Sequence, residues 1–316
     1  MHPVTTLPVA FVSESALPVL RARNLSWRVH SVFRQALNVV AGDHLVAVAP
    51  QSAGGLPNGI SVSGAPDFRV LGLIEGMPMN GSWPIFELPK AGVRLDLARA
   101  WAWSPHLVAG GIDPRDDAMR RRIGAAADIV AARATRVGFA RCIELLRPVA
   151  VGTAPDRGSW PGSVGAATFD DGFSAANAGM RSIEAMRAAI AYGDRAAALE
   201  ATDELIGLGD GLTPSGDDFL VGLTAALRAT RHDLAAPIAT RAAGRARGAT
   251  TDVARAALEH AARGEYAERI HDVLGALARS DEERLRSQVE RALSWGASSG
   301  ADSLLGVLVA LEAAAG

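Results

Sequence analysis

Between residues 207 and 222 the chain reads Gly-Leu-Gly-Asp-Gly-Leu-Thr-Pro-Ser-Gly-Asp-Asp-Phe-Leu-Val-Gly, and this stretch leaves little choice of local structure. Gly207, Gly209 and Gly211 alternate, so the backbone there is free to take positive φ. Thr213-Pro214 fits an N-cap followed by proline at the first helical position, where the missing N–H costs nothing. Ser215 and Asp218 add an overlapping Ser-x-x-Asp capping pattern. Beyond Asp218, the residues Phe219, Leu220, Leu223, Ala226 and Leu227 follow helical spacing. The stretch therefore predicts a glycine-rich loop that delivers the open N-terminus of a buried helix. Such an end carries unpaired N–H groups and a positive partial charge.

The motif has an echo. Residues 213–222 read TPSGDDFLVG and residues 297–306 read ASSGADSLLG. Ser215 matches Ser299, Gly216 matches Gly300, Asp218 matches Asp302, Leu220 matches Leu304 and Gly222 matches Gly306. Each later glycine stands four residues after its aspartate, on the same helix face. A glycine there admits a second backbone closely. Two similar helix starts facing one another are expected, with the Ser215 and Ser299 Cα atoms within ~15 Å. Plain capping and packing in an alanine-rich bundle explain the same match.

The patterning divides the chain. Residues 1–24 read as a loosely ordered lead-in. Residues 25–110 read as a β domain: short apolar runs near 25–33, 44–49, 60–62, 68–74, 85–88 and 93–97, separated by turn signals. A small β-sandwich or barrel of six or seven strands follows from that spacing, with Asn80-Gly81 as a hairpin turn. Residues 98–109, with Trp101 and Trp103, read as a hinge. Residues 111–316 read as an all-helical domain, so the fold class is α+β. Its first helix is expected over about 115–146. A Gly/Pro/Ser-rich loop with Trp160, Phe169 and Phe173 is expected over 152–174, packed near the site. Helices follow at about 175–191, 194–206, 215–230, 234–247, 251–263, 266–279, 281–295 and 299–314.

Composition removes several function classes. A net charge of −2 leaves no electrostatic footprint for nucleic acid or an anionic membrane. No apolar run is long enough for a membrane span, and the first residues lack the form of a signal peptide. The single cysteine, Cys142, excludes a disulfide within the chain and fits a reducing, cytoplasmic setting. It falls in an apolar helical pattern and reads as core filler. The histidines show no metal-ligand spacing.

Three chemistries suit the 207–218 loop. N–H groups of residues 213–217 could hold a phosphate or carboxylate, although Asp210, Asp217 and Asp218 crowd the same turn with negative charge. Asp217, Asp218 and Asp302 could instead hold a hard cation, Mg²⁺ being the candidate, with Asp210 as a base. Thirdly, a carboxylate could accept hydrogen bonds from the –NH₂ of a carbamoyl or oxamate group, kept ionised by the helix dipole. Asp217 and Asp218 are the candidate catalytic residues. Gly209, Gly211, Thr213, Ser215, Gly216, Ser299, Gly300 and Asp302 are the candidate substrate-binding residues. A phosphate partner is sought among Arg181, Arg245 and Arg247.

The Gly-x-Gly-x-Gly-Leu-Thr-Pro-Ser-Gly-Asp-Asp run resembles the AllH-like family. Ser298-Ser-Gly-Ala-Asp302 with Gly306, and Ser31-Val-Phe33 with Asn38 in the β-rich start, are also similar to it. The resemblance spans roughly residues 25–313. That family includes a subunit of the catabolic oxamate carbamoyltransferase of bacterial allantoin degradation. The resemblance implies transfer between carbamoyl phosphate and oxamate, giving oxalurate and phosphate, or the reverse. It also implies a complex with two further subunits, one related to the FdrA proteins. A non-catalytic assembly or ligand-sensing subunit and a metal-dependent hydrolase using the Asp pair are the rival readings.

Overall fold

The computed structural model describes residues 4–64, 66–108, 110–133, 138–139, 142–143, 175–279 and 281–316. The expected loop at 152–174 lies outside these residues; the helix expected to reach 146 is α-helical only to Arg133 among them, and Gly138, at φ 69°, does not continue it.

The first third is a closed barrel. Its strands are β1 (Thr5–Ser13), β2 (Trp27–Val32), β3 (Leu37–Ala41), β4 (His44–Pro50), β5 (Gly59–Val62), β6 (Pro78–Ser82), β7 (Ile85–Leu88) and β8 (Val93–Asp96). The ring runs β1-β5-β4-β3-β2-β6-β7-β8 and returns to β1. Closure leaves no open edge among these eight strands. β1 closes it by serving two neighbours: Thr5–Pro8 lie parallel to Val93–Asp96, while Val9–Val12 run antiparallel to Ile60–Val62. A register shift between Val9 and Phe11 lets the strand turn this corner. A ninth strand, β9 (Trp101–Trp103), continues on β1 beyond β8. Val29, Leu37, Val39, Val48, Val62, Leu88 and Leu95 fill the barrel core.

Three sequence expectations change here. The lead-in is not loose: residues 5–13 form β1, followed by the short helix α1 (Leu17–Arg21). Residues 68–74 do not form a strand. Phe68–Leu71 make a 3₁₀ turn, because the Asp67 carboxylate accepts from the Arg69 N–H and binds its guanidinium; Gly72 then ends it at φ 69°. Asn80-Gly81 is not the hairpin turn but lies within β6, paired with Glu87 and Phe86. The turn falls at Trp83-Pro84.

The remainder is helical: α2 (Asp117–Arg133), α3 (Ala175–Tyr192), α4 (Arg195–Leu205), α5 (Ser215–Ala229), α6 (Ala235–Ala246), α7 (Asp252–Ala262), α8 (Glu268–Arg279), α9 (Glu282–Leu293) and α10 (Ser299–Ala315). The eight helices from α3 onward agree with the 3.6-residue pattern to within two residues at each end. α5 and α10 are buried on nearly every face, which marks them as the central pair. They cross with backbones in contact. A Cβ at Gly222 would overlap the Ser303 carbonyl oxygen, and one at Gly306 would overlap that of Phe219. The close approach expected from the two matched glycines is thus present. No helix among the described residues is long and apolar enough to cross a membrane.

Residues 104–108, read as hinge, are docked on the helical part. The Tyr266 N–H donates to the Pro105 carbonyl, and the Leu107 N–H to that of Gly264, both at 2.9 Å. The Gly55 N–H donates to Glu268 Oε2 at 2.7 Å, with the Trp103 ring lying against Gly55.

Candidate functional site

The loop before α5 takes the conformation its glycines allow, with φ 72° at Gly207, 118° at Gly209 and 94° at Gly211. At Gly207 any side chain would also overlap the Ala249 carbonyl oxygen, so the loop is pressed against the turn before α7. Asp217 fixes it there. Its Oδ1 accepts from the Gly207 N–H at 3.1 Å and its Oδ2 from the Thr250 hydroxyl at 2.5 Å. Thr251 caps α7 and donates to the Leu212 carbonyl at 2.5 Å. With both oxygens committed and 1% exposure, Asp217 is a clasp on the glycine loop. Gly216 and Gly300 also serve packing: each lies against a carbonyl oxygen of the preceding helix, that of Leu205 or of Ala292.

The cap is displaced by one residue from its expected place. Pro214 is the N-cap and makes no side-chain cap bond, and Ser215 is the first helical residue. Thr213 does not cap α5 because its hydroxyl has a partner elsewhere: its Oγ1 is 2.7 Å from Ser299 Oγ at the start of α10. The two matched helix starts are therefore face to face. Of the anion cradle expected over residues 213–217, the Gly216 and Asp217 N–H groups are engaged internally. Gly216 N–H donates to the Leu208 carbonyl, and Asp217 and Asp218 N–H to that of Pro214. On the other side Gly300 N–H donates to the Trp295 carbonyl and Asp302 N–H to that of Ser298.

Between the starts lies a set of largely buried side chains. Asp218 lies beside the Ser299 and Thr213 hydroxyls, with Asp302 and Arg269 acting on it electrostatically. Asp302 is 0% exposed, and its Oδ1 accepts from the Phe139 N–H at 2.7 Å. Asp218 Oδ2, Asp302 Oδ2 and Arg269 Nη1 are all sealed from solvent without a hydrogen-bond partner among the described residues. The Arg269 guanidinium lies flat over Trp295, 4.2 Å from the ring centroid. Buried polar atoms are nearly always paired, so three orphans at one junction need a reason. Burial pushes the Asp302 carboxyl up to about 6, against the Phe139 N–H and the Ser215 and Ser298 hydroxyls. Burial also raises Asp218 well above the usual carboxylate range; the Ser299 hydroxyl opposes that, and the charge on Asp302 adds to it. Burial lowers Arg269 to about 10, with Asp218 opposing, so it remains a cation at neutral pH.

The expected cation site does not assemble from its three aspartates, because Asp217 is turned toward Gly207 and Thr250. Among the described residues no three His, Cys, Asp or Glu side chains converge as a metal ion needs. Asp210 and Gly211 are exposed on the loop, whereas Gly209 packs against the start of α5, where a Cβ would lie 2.8 Å from the Ser215 backbone nitrogen. Arg245 and Arg247 are engaged with Asp203 and Asp43, and Arg181 lies on α3. The arginine at the site is Arg269. The pattern Glu268-Arg-Ile-His-Asp272 reads as a solvated helix face, and only the approach of α10 reveals its role.

The raised carboxyl gives a pH prediction. A carboxyl whose folded value lies above its unfolded 3.8 costs stability once ionised, so its contribution falls as pH rises from about 4 to above 6. Buried His232, His260 and His271 have lowered values and act in the opposite sense. The effect is therefore read as a difference. Asp302→Asn gains stability relative to wild type by about 1 kcal/mol between pH 5 and pH 7, measured by urea unfolding at both values. A difference that does not change with pH would mean that Asp302 does not titrate there.

No curated protein and no solved structure matches the chain significantly. Two family models do. One, described as the AllH family N-terminal domain, matches residues 8–101, which hold nearly all of the barrel. The other, described as oxamate carbamoyltransferase subunit AllH, matches residues 205–311, from the glycine loop through most of α10. Barrel and site both carry the family's pattern, and the chain belongs to the AllH family.

Proposed function

We propose that this chain is a subunit of a carbamoyltransferase complex of the oxamate type, and that the junction of the α5 and α10 starts binds a small amide. The observation that carries this reading is the trio of orphan atoms. A primary amide has two N–H donors, and an ionised carboxylate only accepts. Asp218 Oδ2 and Asp302 Oδ2 supply acceptors that nothing among the described residues uses. In the transfer, the amide nitrogen of oxamate forms a bond to the carbamoyl carbon of carbamoyl phosphate. The C–O bond to phosphate breaks and one N–H proton leaves the nitrogen. A carboxylate with a raised pKa beside that nitrogen is suited to take the proton. Asp218 has this role; Asp302 shares the orientation of the –NH₂, and Thr213, Ser215 and Ser299 set the two carboxylates. The family description names a subunit, and the complex includes an FdrA-like partner and a second subunit in the cytoplasm.

The test is copurification of the assembled complex from its native host, with oxalurate phosphorolysis assayed on the complex, on this chain alone, and on the complex lacking this chain. Activity is expected only in the complete complex. Full activity in its absence would remove the chain from the chemistry.

A further inference from the structure

We propose that Arg269 reads the carboxylate of the substrate: the site takes a small amide that also bears an anionic carboxylate, with the –NH₂ end on Asp218 and the carboxylate end on the Arg269 guanidinium. This rests on the amide-binding reading above and adds the ligand's second end.

The argument is one of complementarity. Arg269 offers only donors, and its Nη1 is buried without an acceptor. Asp218 offers acceptors, and its Oδ2 is buried without a donor. The two side chains attract one another electrostatically, yet no ion pair joins them among the described residues. A ligand that carries a donor at one end and an acceptor at the other satisfies both at once. Stacking on Trp295 fixes the plane of the guanidinium, which pre-organises the fork that binds a carboxylate through two parallel N–H donors. Arg269 also borders a small, mostly apolar recess with Val273, Ala292, Gly300, Ser303 and Leu304 at the start of α10. Phosphate is the other anion of the reaction. It carries more negative charge than a carboxylate and would stand next to Asp218 and Asp302, so the singly charged end fits better.

The experiment is calorimetric titration of the assembled complex with oxamate, with oxamide and with inorganic phosphate, for wild type, Arg269→Gln and Arg269→Lys. Oxamide keeps the amide and lacks the carboxylate. Arg269→Gln is expected to weaken oxamate binding by about thirtyfold or more, as loss of a charge-assisted bidentate contact implies. Oxamide and phosphate binding should change by less than about threefold. Arg269→Lys keeps the charge and an alkyl stem over Trp295 but lacks the fork. It is expected to fall between the two, and it carries the test if Arg269→Gln does not assemble. Equal losses for oxamate and oxamide would show a packing role on Trp295 and overturn the assignment. A loss confined to phosphate would overturn it in favour of the other anion. The two readings fail separately. A complex that binds oxamate through Arg269 but transfers no carbamoyl group sinks the reaction and leaves this assignment. A complex whose Arg269→Gln form is fully active at unchanged KM for oxamate sinks this assignment and leaves the reaction.

Discussion

Gly306→Ala is expected to destabilise the protein by about 3 kcal/mol, at the upper end of the cost of overpacking a core. The added methyl would overlap the Phe219 carbonyl oxygen and come within 2.8 Å of the Leu223 N–H nitrogen. Both are main-chain atoms of α5, and neither can move without the helix. In an open helix the same change would stabilise by ~1 kcal/mol, because alanine has the better helix propensity. Gly275 on α8 is the matched control: a Cβ there meets nothing closer than an Arg279 side-chain nitrogen at 4.0 Å. Gly275→Ala should raise the urea midpoint while Gly306→Ala lowers it sharply. If both variants moved the midpoint upward, α5 and α10 would not be in backbone contact. Forcing the helices apart would also separate Thr213 from Ser299, so any residual folded Gly306→Ala protein should be poorly active in the complex.

Asp218→Asn is expected to reduce the activity of the assembled complex about a hundredfold, equivalent to ~3 kcal/mol of transition-state stabilisation, with no loss of stability. The two halves of that statement come from the same geometry. The carboxylate is partly buried, has one oxygen without a partner, and is repelled by Asp302. Burial disfavours the ionised form of this carboxyl, a penalty that asparagine does not carry, so urea unfolding should show Asp218→Asn at least as stable as wild type. A group kept at a cost to stability is the pattern of a functional site. In the reaction, asparagine supplies one acceptor where two are available and cannot take the proton. Asp217→Asn should behave in reverse. It exchanges an acceptor for a donor facing the Gly207 N–H or the Thr250 hydroxyl, and so costs stability of about 1–3 kcal/mol. An Asp218→Asn complex with unimpaired turnover would take this carboxylate out of the mechanism.

The helical half was legible in the sequence because its signals are local. The run Gly207–Gly222 announced its turn, its helix and the close approach at Gly222, and alanine-rich periodicity marked the other helices. The barrel was less legible because its closure is non-local. Pro8 argues against a strand at residues 5–13, and only pairing with both β8 and β5 makes β1 one. Residues 68–74 are apolar enough for a strand, but the Asp67–Arg69 contact decides for a turn. At the site the sequence placed Asp218, Ser299 and Asp302 in one neighbourhood, through the echo of the motif. It did not separate Asp217 from Asp218, since adjacent helical residues differ by about 100° in direction and the partners of Asp217 come from residues 207 and 250. Arg269 had no signal at all, because its role depends on Trp295 and on a helix that starts thirty residues later.

The contact between α5 and α10 has the form of an isologous interface. Gly222 meets Ser303 and Gly306 meets Phe219, and these are corresponding positions of the two motifs, so each half presents the same patch to the other. In a true dimer such an interface would be bound to stay symmetric. Here both halves belong to one chain and can diverge independently. Thr213 corresponds to Ala297 and Asp217 to Ala301, so only one side keeps the hydroxyl that bridges to Ser299 and only one side keeps the clasp on a glycine loop. A near-dyad broken in this way holds different chemistry at its two ends: the Thr213 hydroxyl and the Asp217 clasp on one side, and the Phe139 contact of Asp302 on the other.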